Sequence, residues 1–407
     1  MISFDLSPRI AEMKNAIRSL AEQAMRPIAR EFDEKEHEEP HEFQNLMWSI
    51  SGGRAFGSSD DAPSEGKSSG PREGNLGACV TIEELSWGDA GLYLSIPNAG
   101  LGGAAVMAAG TAAQKTRFLG RFAEGQPKWG AMAITETHCG SDSAAIQTTA
   151  VRDGDDWVLN GTKIYCTSGD RALRSGGFVV VWATVDRTAG RRGIKSFVVE
   201  SGTPGIKVIK VEDKLGIRAS DTAMIVLEDC RIPADNLLGV AEVHQSTEGF
   251  KAAMATFDAT RPLVAASALG IGQAALDLAR QELAQRGVEI RYDRCDAHLS
   301  AIERDFLDAE ADLQAARLLT WRAGWMMDRG QRNNLEASMA KAKAGLAVTR
   351  VTQKCVEILG PIGYSRQLLL EKWMRDAKIN DIFEGTQQIN MLIVARRILG
   401  YSSKELS

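Results

Sequence analysis

WVLNGTKIYCTSG, residues 157–169, mixes apolar and polar side chains around Asn160 and Gly161, a pair that takes positive φ cheaply and so marks a two-residue hairpin turn. FVVVWATV from Phe178, IKSFVVES from Ile194, IKVIKVED from Ile206 and AMIVLEDCRIP from Ala223 follow at short intervals, separated by glycine-rich or charged turns. Such spacing predicts a small antiparallel barrel or sandwich over residues 129–238.

On either side the text is helical. Ile10, Met13, Ile17, Leu20, Ala24, Ile28 and Phe32 recur at three- and four-residue spacing, which predicts helix over 8–36 with a kink or break at Pro27. ACVTIEELSWGDAG from Ala78 and AAQKTRFLGRFAEG from Ala112 continue that texture, giving an all-helical unit over 1–128. Between them, residues 51–74 read SGGRAFGSSDDAPSEGKSSGPREG, too poor in apolar side chains to bury themselves, and predict a flexible surface loop, either a plain insertion or a lid. Beyond the β unit, PLVAASALGIGQAALDLARQELAQ from Pro262 and RDFLDAEADLQAARLLTWRAGWMM from Arg304 predict long helices packed as a four-helix bundle over 239–407. The expected fold is therefore α+β and multidomain: N-terminal all-α domain, middle antiparallel β domain, C-terminal helical bundle.

The 407 residues carry 48 Lys plus Arg against 53 Asp plus Glu, a net charge of −5, which gives no electrostatic reason to expect nucleic acid or an acidic membrane as partner. Six cysteines stand singly with no C-x-x-C pair, as reduced thiols do, and the N-terminal text has no apolar run of the signal-peptide kind. No apolar run approaches the roughly 18 residues of a membrane span. The expected compartment is the cytoplasm.

Two signals are set aside. Gly270, Gly272 and Ala275 fit a dinucleotide fingerprint in spacing, but they lie in helical text with no strand before them and read instead as close helix packing. His37 and His41 are separated by Pro40, which breaks the helix that would align their rings, and read as surface histidines. No metal site is expected.

Three segments have compositions that call for chemistry. AMAITETHCGSDSAA places Ile134, Thr135, Gly140 and Ser141 in a polar loop whose N–H and hydroxyl groups suit a ring edge or a pyrophosphate, or an ordinary structural turn. KIYCTSG puts Tyr165 two positions before Thr167, on one face of a strand, for stacking on a flat cofactor or for packing alone. RDAKINDIFEGTQQINMLIVARRIL breaks its helical period at Phe383, Glu384, Gly385 and Thr386. A carboxylate in that apolar notch has a raised pKa, which suits a general base, although the residue also fits a helix end.

In this order, across a helix–β–helix frame, the segments resemble the acyl-CoA dehydrogenase family. ITETHCGSD looks like its first signature, KIYCTSG its flavin strand, FDATRPLVAA from Phe257 its CoA-side helix, and LEKWMRDAKINDIFEGTQQI from Leu370 its second signature; the likeness runs from about Asn75 to Leu399. The resemblance implies an FAD enzyme in which Glu384 removes the α-proton of a fatty acyl thioester while the flavin takes the β-hydride, giving a trans-2-enoyl product. It implies that the Glu384 N–H and a flavin ribityl hydroxyl bind the thioester oxygen, each contributing about 3–4 kcal/mol by analogy with oxyanion holes. Ile134, Thr135, Gly140, Ser141, Tyr165 and Thr167 match positions around the flavin and its phosphates, and Thr386 and Gln388 match cofactor contacts beyond the base. Asp258 and Arg261 match CoA contacts, with Arg261 supplying a cation, and Phe383 packs on the acyl chain or flavin. A homotetramer passing electrons to an electron-transfer flavoprotein is implied as well.

The sequence departs from that pattern at the subunit-spanning part of the flavin site. The family's R-x-x-F-G segment and following Gln appear as QRGVEIRYDRCDAHLS, residues 285–300, where Arg286 or Arg291 stands for the Arg and Tyr292 for the Phe. Gln-Ile-Leu-Gly-Gly appears as Glu357, Ile358, Leu359, Gly360 and Pro361, an acid in place of an amide near a diphosphate. The Gly/Pro motif expected after the first helices is replaced by the 51–74 segment. Two other functions compete: a subunit of a heteromeric dehydrogenase whose sister chain completes the flavin site, and a flavin-dependent monooxygenase on the same fold.

Overall fold

The computed structural model describes residues 5–53, 72–239, 248–402 and 405, with no side chains described at 248–255 or 296. Most of the predicted 51–74 loop, residues 54–71, lies outside the described residues. The chain opens with α1 (Pro8–Leu20), a π turn (Ala21–Met25), a 3-10 turn (Arg26–Ile28) and α2 (Ala29–Glu34). Pro27, which has no N–H to donate, sits in the 3-10 turn, and the π turn before it absorbs the lost register. The Arg26 guanidinium then lies over the Trp87 and Trp373 rings at 3.9 and 4.5 Å. α3 (His41–Ser51), α4 (Gly74–Ser95), α5 (Gly100–Ala109) and α6 (Ala112–Gly120) complete the N-terminal unit.

Eight strands follow: β1 (Gly130–Ala133), β2 (Thr149–Asp153), β3 (Asp156–Thr167), β4 (Phe178–Thr184), β5 (Ile194–Glu200), β6 (Ile206–Val211), β7 (Thr222–Pro233) and β8 (Leu237–Leu238), with α7 (Gly169–Arg174) after β3. The order is β6-β7-β3-β2-β4-β5-β8, antiparallel except that β4 pairs in parallel with β1 and, at Thr149–Thr184, with β2. β4 is buried on both faces, which is why it reads as a continuous apolar run. Val179, Val181 and Ala183 enter one core, while Phe178, Val180 and Trp182 enter another under α5 and α6.

The hairpin turn lies six residues before the position that the sequence predicts. Asn160–Gly161 is not the hairpin turn; the turn is Gly154–Asp155, with Gly154 at φ 60°, and β3 runs straight through Asn160. Asn160–Gly161 is instead a bulge against β7, closed by Asn160 and Asp229 hydrogen-bonding each other, and a Cβ at Gly161 would fall 2.4 Å from the Thr148 hydroxyl.

The C-terminal unit comprises α8 (Glu248–Gln285), α9 (Ala301–Asp328), α10 (Asn334–Leu359), α11 (Pro361–Tyr364), α12 (Leu370–Ala377) and α13 (Gln387–Leu399). α4 joins this bundle by lying along α8. At Gly270 the two backbones touch, since a Cβ there would sit 2.1 Å from the Glu83 carbonyl, so the glycine pair does serve close helix packing. The sequence reading missed that residues 256–285 of α8 are apolar enough in composition to cross a membrane; 72% of the apolar window is buried in the bundle, so that apolarity is core.

The Lys372 ammonium is enclosed between Asp89, where α4 breaks its helical backbone, and Asp376, 2.6 Å away. Burial opposes that charge, but the two carboxylates together hold it above the ordinary lysine range. Asp376 also accepts from the Ile217 N–H at 2.6 Å, so one ion cluster ties α4, α12 and the β6–β7 link.

Candidate active site

Between α12 and α13 the chain makes a strained turn. Glu384 sits at φ 52° and Gly385 at φ 90°, and a left-handed Glu costs on the order of 1–3 kcal/mol. The surroundings hold it there. The Gly385 carbonyl accepts from Lys341 Nζ at 2.6 Å and from Asn390 Nδ2 at 2.9 Å, and the Thr386 hydroxyl caps α13 by accepting from Ile389 N at 3.2 Å. On the other side, Ile382 N and Phe383 N both donate to the Ile379 carbonyl.

Glu384 is partly exposed as a residue, but its carboxyl lies deep, where Thr260 Oγ1 of α8 donates to Oε2 at 2.6 Å. Burial pushes this carboxyl above the ordinary glutamate range; the Thr260 hydrogen bond, Lys341 and Arg261 pull it part of the way back. Tyr93 of α4 faces the same carboxylate, and burial first, then Glu384, raises its phenol. Arg261 is 4% exposed, donates to Asp258 at 2.5 Å and points toward Gly385, leaving Nε without a partner among the described residues. Asp258 also takes both bonds of the Asn334 amide, and Arg397 donates to Asn334 Oδ1 at 3.0 Å.

The β-domain segments form a second group. Ile164 N donates to the Thr135 carbonyl at 3.0 Å, which seats the 134–142 loop beside Tyr165 on β3. Glu136, inside that loop, accepts from Gln147 N, Thr148 N, the Thr148 hydroxyl and Lys163 Nζ, and Lys163 also donates to the Ile134 carbonyl. Burial works against the Glu136 charge, but Lys163 and the Thr148 hydroxyl hold the carboxyl below its ordinary range, while burial lowers Lys163 to about 8. Tyr165 adopts φ 56° and is 63% exposed, and the hydroxyls of Thr135, Ser141 and Thr167 make no hydrogen bond among the described residues. An uncovered aromatic ring beside free hydroxyls fits a flat polar cofactor.

Phe257 joins the two groups. Its ring packs into the same apolar cluster as Ile134, and Thr260 lies one turn further along α8. Gln388 is exposed on α13, and Phe383 and Gly140 are partly or fully exposed. A cavity of about 130 Å³ lies elsewhere, between the α2–α3 link and α7, and its charges are matched within the chain, as in Arg174 with Asp170 and Arg218 with Glu36. Sequence reasoning missed Thr260, Lys341, Asn390, Glu136 and Lys163 as parts of the site; for Glu136 the signal was available, an acid inside the first signature.

The altered segment near 285–300 is tied to the neighbouring helices α8, α9 and α10. Arg291 forms a two-pronged pair with Glu303 at 2.6 and 2.7 Å, the Tyr292 hydroxyl donates to Glu310 at 2.7 Å under Arg280, and Arg286 donates to the Leu359 carbonyl at 3.3 Å. Glu357 is exposed and paired with Lys354 at 2.8 Å.

The sequence matches the acyl-CoA dehydrogenase N-terminal domain over residues 7–126, the middle domain over 131–230 and the C-terminal domain over 247–399. The chain belongs to the acyl-CoA dehydrogenase family. Among family relatives, the short-chain specific acyl-CoA dehydrogenase of Bos taurus mitochondria is 39% identical, across 95% of this chain and 89% of its own. Butyryl-CoA dehydrogenase from Megasphaera elsdenii superposes with a TM-score of 0.84 at 32% identity, covering 98% of this chain and 100% of its own. A structure described under an electron transferring flavoprotein of Acidaminococcus fermentans gives a TM-score of 0.84 at 33% identity, again covering 98% and 100%. As an acyl-CoA dehydrogenase the chain is an FAD-dependent oxidoreductase, and the α+β arrangement of helical, β and helical domains is the family's.

Proposed function

We propose that the chain converts a fatty acyl-CoA thioester to its trans-2-enoyl-CoA, with Glu384 as the base that takes the α-proton. The observation carrying this reading is a partly exposed glutamate whose carboxyl is deep, shifted upward by burial and aimed by Thr260 from a strained turn. An α-C–H is a weak acid, and a base with a raised pKa is the stronger for it. The Glu384 N–H, turned by the left-handed backbone, is suited to the thioester oxygen.

Ile134, Thr135, Gly140, Ser141, Tyr165 and Thr167 are the residues that would hold FAD, with Thr386 and Gln388 beyond the base. FAD, when bound, supplies the hydride acceptor. Asp258 and Arg261 bind the CoA side, and Phe383 borders the acyl chain. The named relatives support a short acyl chain as substrate and an electron-transfer flavoprotein as acceptor. A homotetramer located in the cytoplasm completes the proposal.

Glu384→Gln is nearly isosteric but cannot accept the proton. It should retain FAD and lower the rate of anaerobic flavin reduction by acyl-CoA by roughly three orders of magnitude or more. Rates near those of the unaltered enzyme would assign the base elsewhere. A second reading, a subunit that needs a sister chain for FAD, is favoured by Arg286, Arg291 and Tyr292 being satisfied within this chain. Purification of the chain alone separates the two: a yellow protein that bleaches with acyl-CoA excludes the sister-chain requirement, and a colourless one supports it.

A further inference from the structure

We propose that Lys341 is a positioning residue for Glu384: its ammonium grips the Gly385 carbonyl, fixes the strained turn that carries the base and stabilises the carboxylate form. This deepens the reading of Glu384 as base and rests on it.

Lys341 is 1% exposed, whereas Lys343, two residues along the same helix, is an ordinary surface lysine paired with Asp312. Among the described residues Lys341 forms no salt bridge; its hydrogen bond goes to a backbone carbonyl, that of Gly385 at 2.6 Å. Burying an ammonium without a directly bonded carboxylate is costly, because the charge loses its water and gains no counter-charge in contact. A residue kept in that position has work other than packing.

The rest of α10 shows what the work is. One turn beyond Lys341, a Cβ at Gly345 would lie 2.6 Å from the Asn380 carbonyl, and the Thr349 hydroxyl donates to Asp381 at 3.2 Å. α10 therefore grips the 380–385 turn at both ends, at Asn380 and Asp381 and at Gly385, and Lys341 holds the end next to the base. The charges facing Lys341 are Glu384, Asp381 and Arg261; those facing Glu384 are Lys341 from α10, Arg261 and the Thr260 hydroxyl from α8, and the Tyr93 phenol from α4. Burial drops Lys341 to about 8, with Glu384 and Asp381 working against the fall, so it is still charged at neutral pH.

The test compares FAD-loaded Lys341→Met and Lys341→Arg with the unaltered enzyme. Anaerobic flavin reduction by acyl-CoA is followed against pH, together with infrared difference spectra of the Glu384 carboxyl, assigned by its absence in Glu384→Gln. Lys341→Met should move both midpoints upward by about one pH unit and slow reduction at neutral pH by about tenfold. Lys341→Arg, which keeps charge and donor, should recover the midpoints. Should Lys341→Met not accumulate as holoenzyme, Lys341→Gln, with a donor but no charge, should show the same upward shift. Folded, flavin-loaded variants with both midpoints unmoved would overturn the proposal. If instead Glu384→Gln reduces flavin at full rate, the base assignment fails while the infrared titration still reports whether Lys341 governs the Glu384 charge.

Discussion

The Thr260 hydroxyl donates to the Glu384 carboxylate over 2.6 Å, joining residues 124 positions apart. This bond favours the charged form, so its loss should raise the pKa of a base already held high by burial. Thr260→Val should therefore shift the acid limb of the flavin-reduction rate upward by about half a unit to one unit. A pH series on the holo variant reads this directly; an unmoved limb would show that the hydroxyl does not govern the carboxyl.

Removing the Lys372 ammonium would strand Asp89 and Asp376 in the core. Lys372→Met should lose about 3–5 kcal/mol of stability, seen as a lower denaturant midpoint, and should recover part of it in acid as Asp376, whose carboxyl burial already pushes upward, takes up a proton. A midpoint equal to that of the unaltered chain would mean the cluster is dispensable.

Glu136 has a folded pKa below its unfolded one, so its contribution to stability is complete above the ordinary glutamate pKa and disappears as pH falls through the depressed folded value. Glu136→Gln should be less stable than the unaltered chain at neutral pH, and the gap should close in acid. Thermal melts at neutral pH and below pH of about 4 test the convergence.

Gly270→Ala should cost about 1–3 kcal/mol, because its methyl would meet the Glu83 carbonyl and the Trp87 N–H of the facing helix. Gly120→Ala, where a Cβ meets nothing within 4 Å, is the control and should be neutral or slightly stabilising. Urea midpoints of the two variants should differ accordingly.

Periodicity made the layout legible. The helical text before Trp129 and after Gly249 forms helices, and the β-rich runs from Phe178, Ile194, Ile206 and Ala223 form strands, because each pattern reports how its element is buried. The turn was misplaced because Asn160–Gly161 and Gly154–Asp155 offer the same cheap positive φ; only the pairing of β3 with both β2 and β7 decides which becomes the turn and which the bulge. Glu384, Gly385 and Thr386 were legible as a break in a helix. Their holders were not: Lys341 looks like any lysine of a solvated helix, and nothing local announces that Thr260 will face residue 384. Contacts across such separations follow from helix packing, which a single sequence encodes only through summed shape.

The bond between Ser86 and Ser267, 181 residues apart, has a consequence for biosynthesis. At about 5–20 residues per second, a ribosome finishes the α8 serine roughly 10–35 s after the α4 serine. Throughout that interval the apolar side of α4 waits without the helix that covers it, so a message truncated after the β domain should yield a chain that exposes this face and aggregates in place of a smaller soluble product.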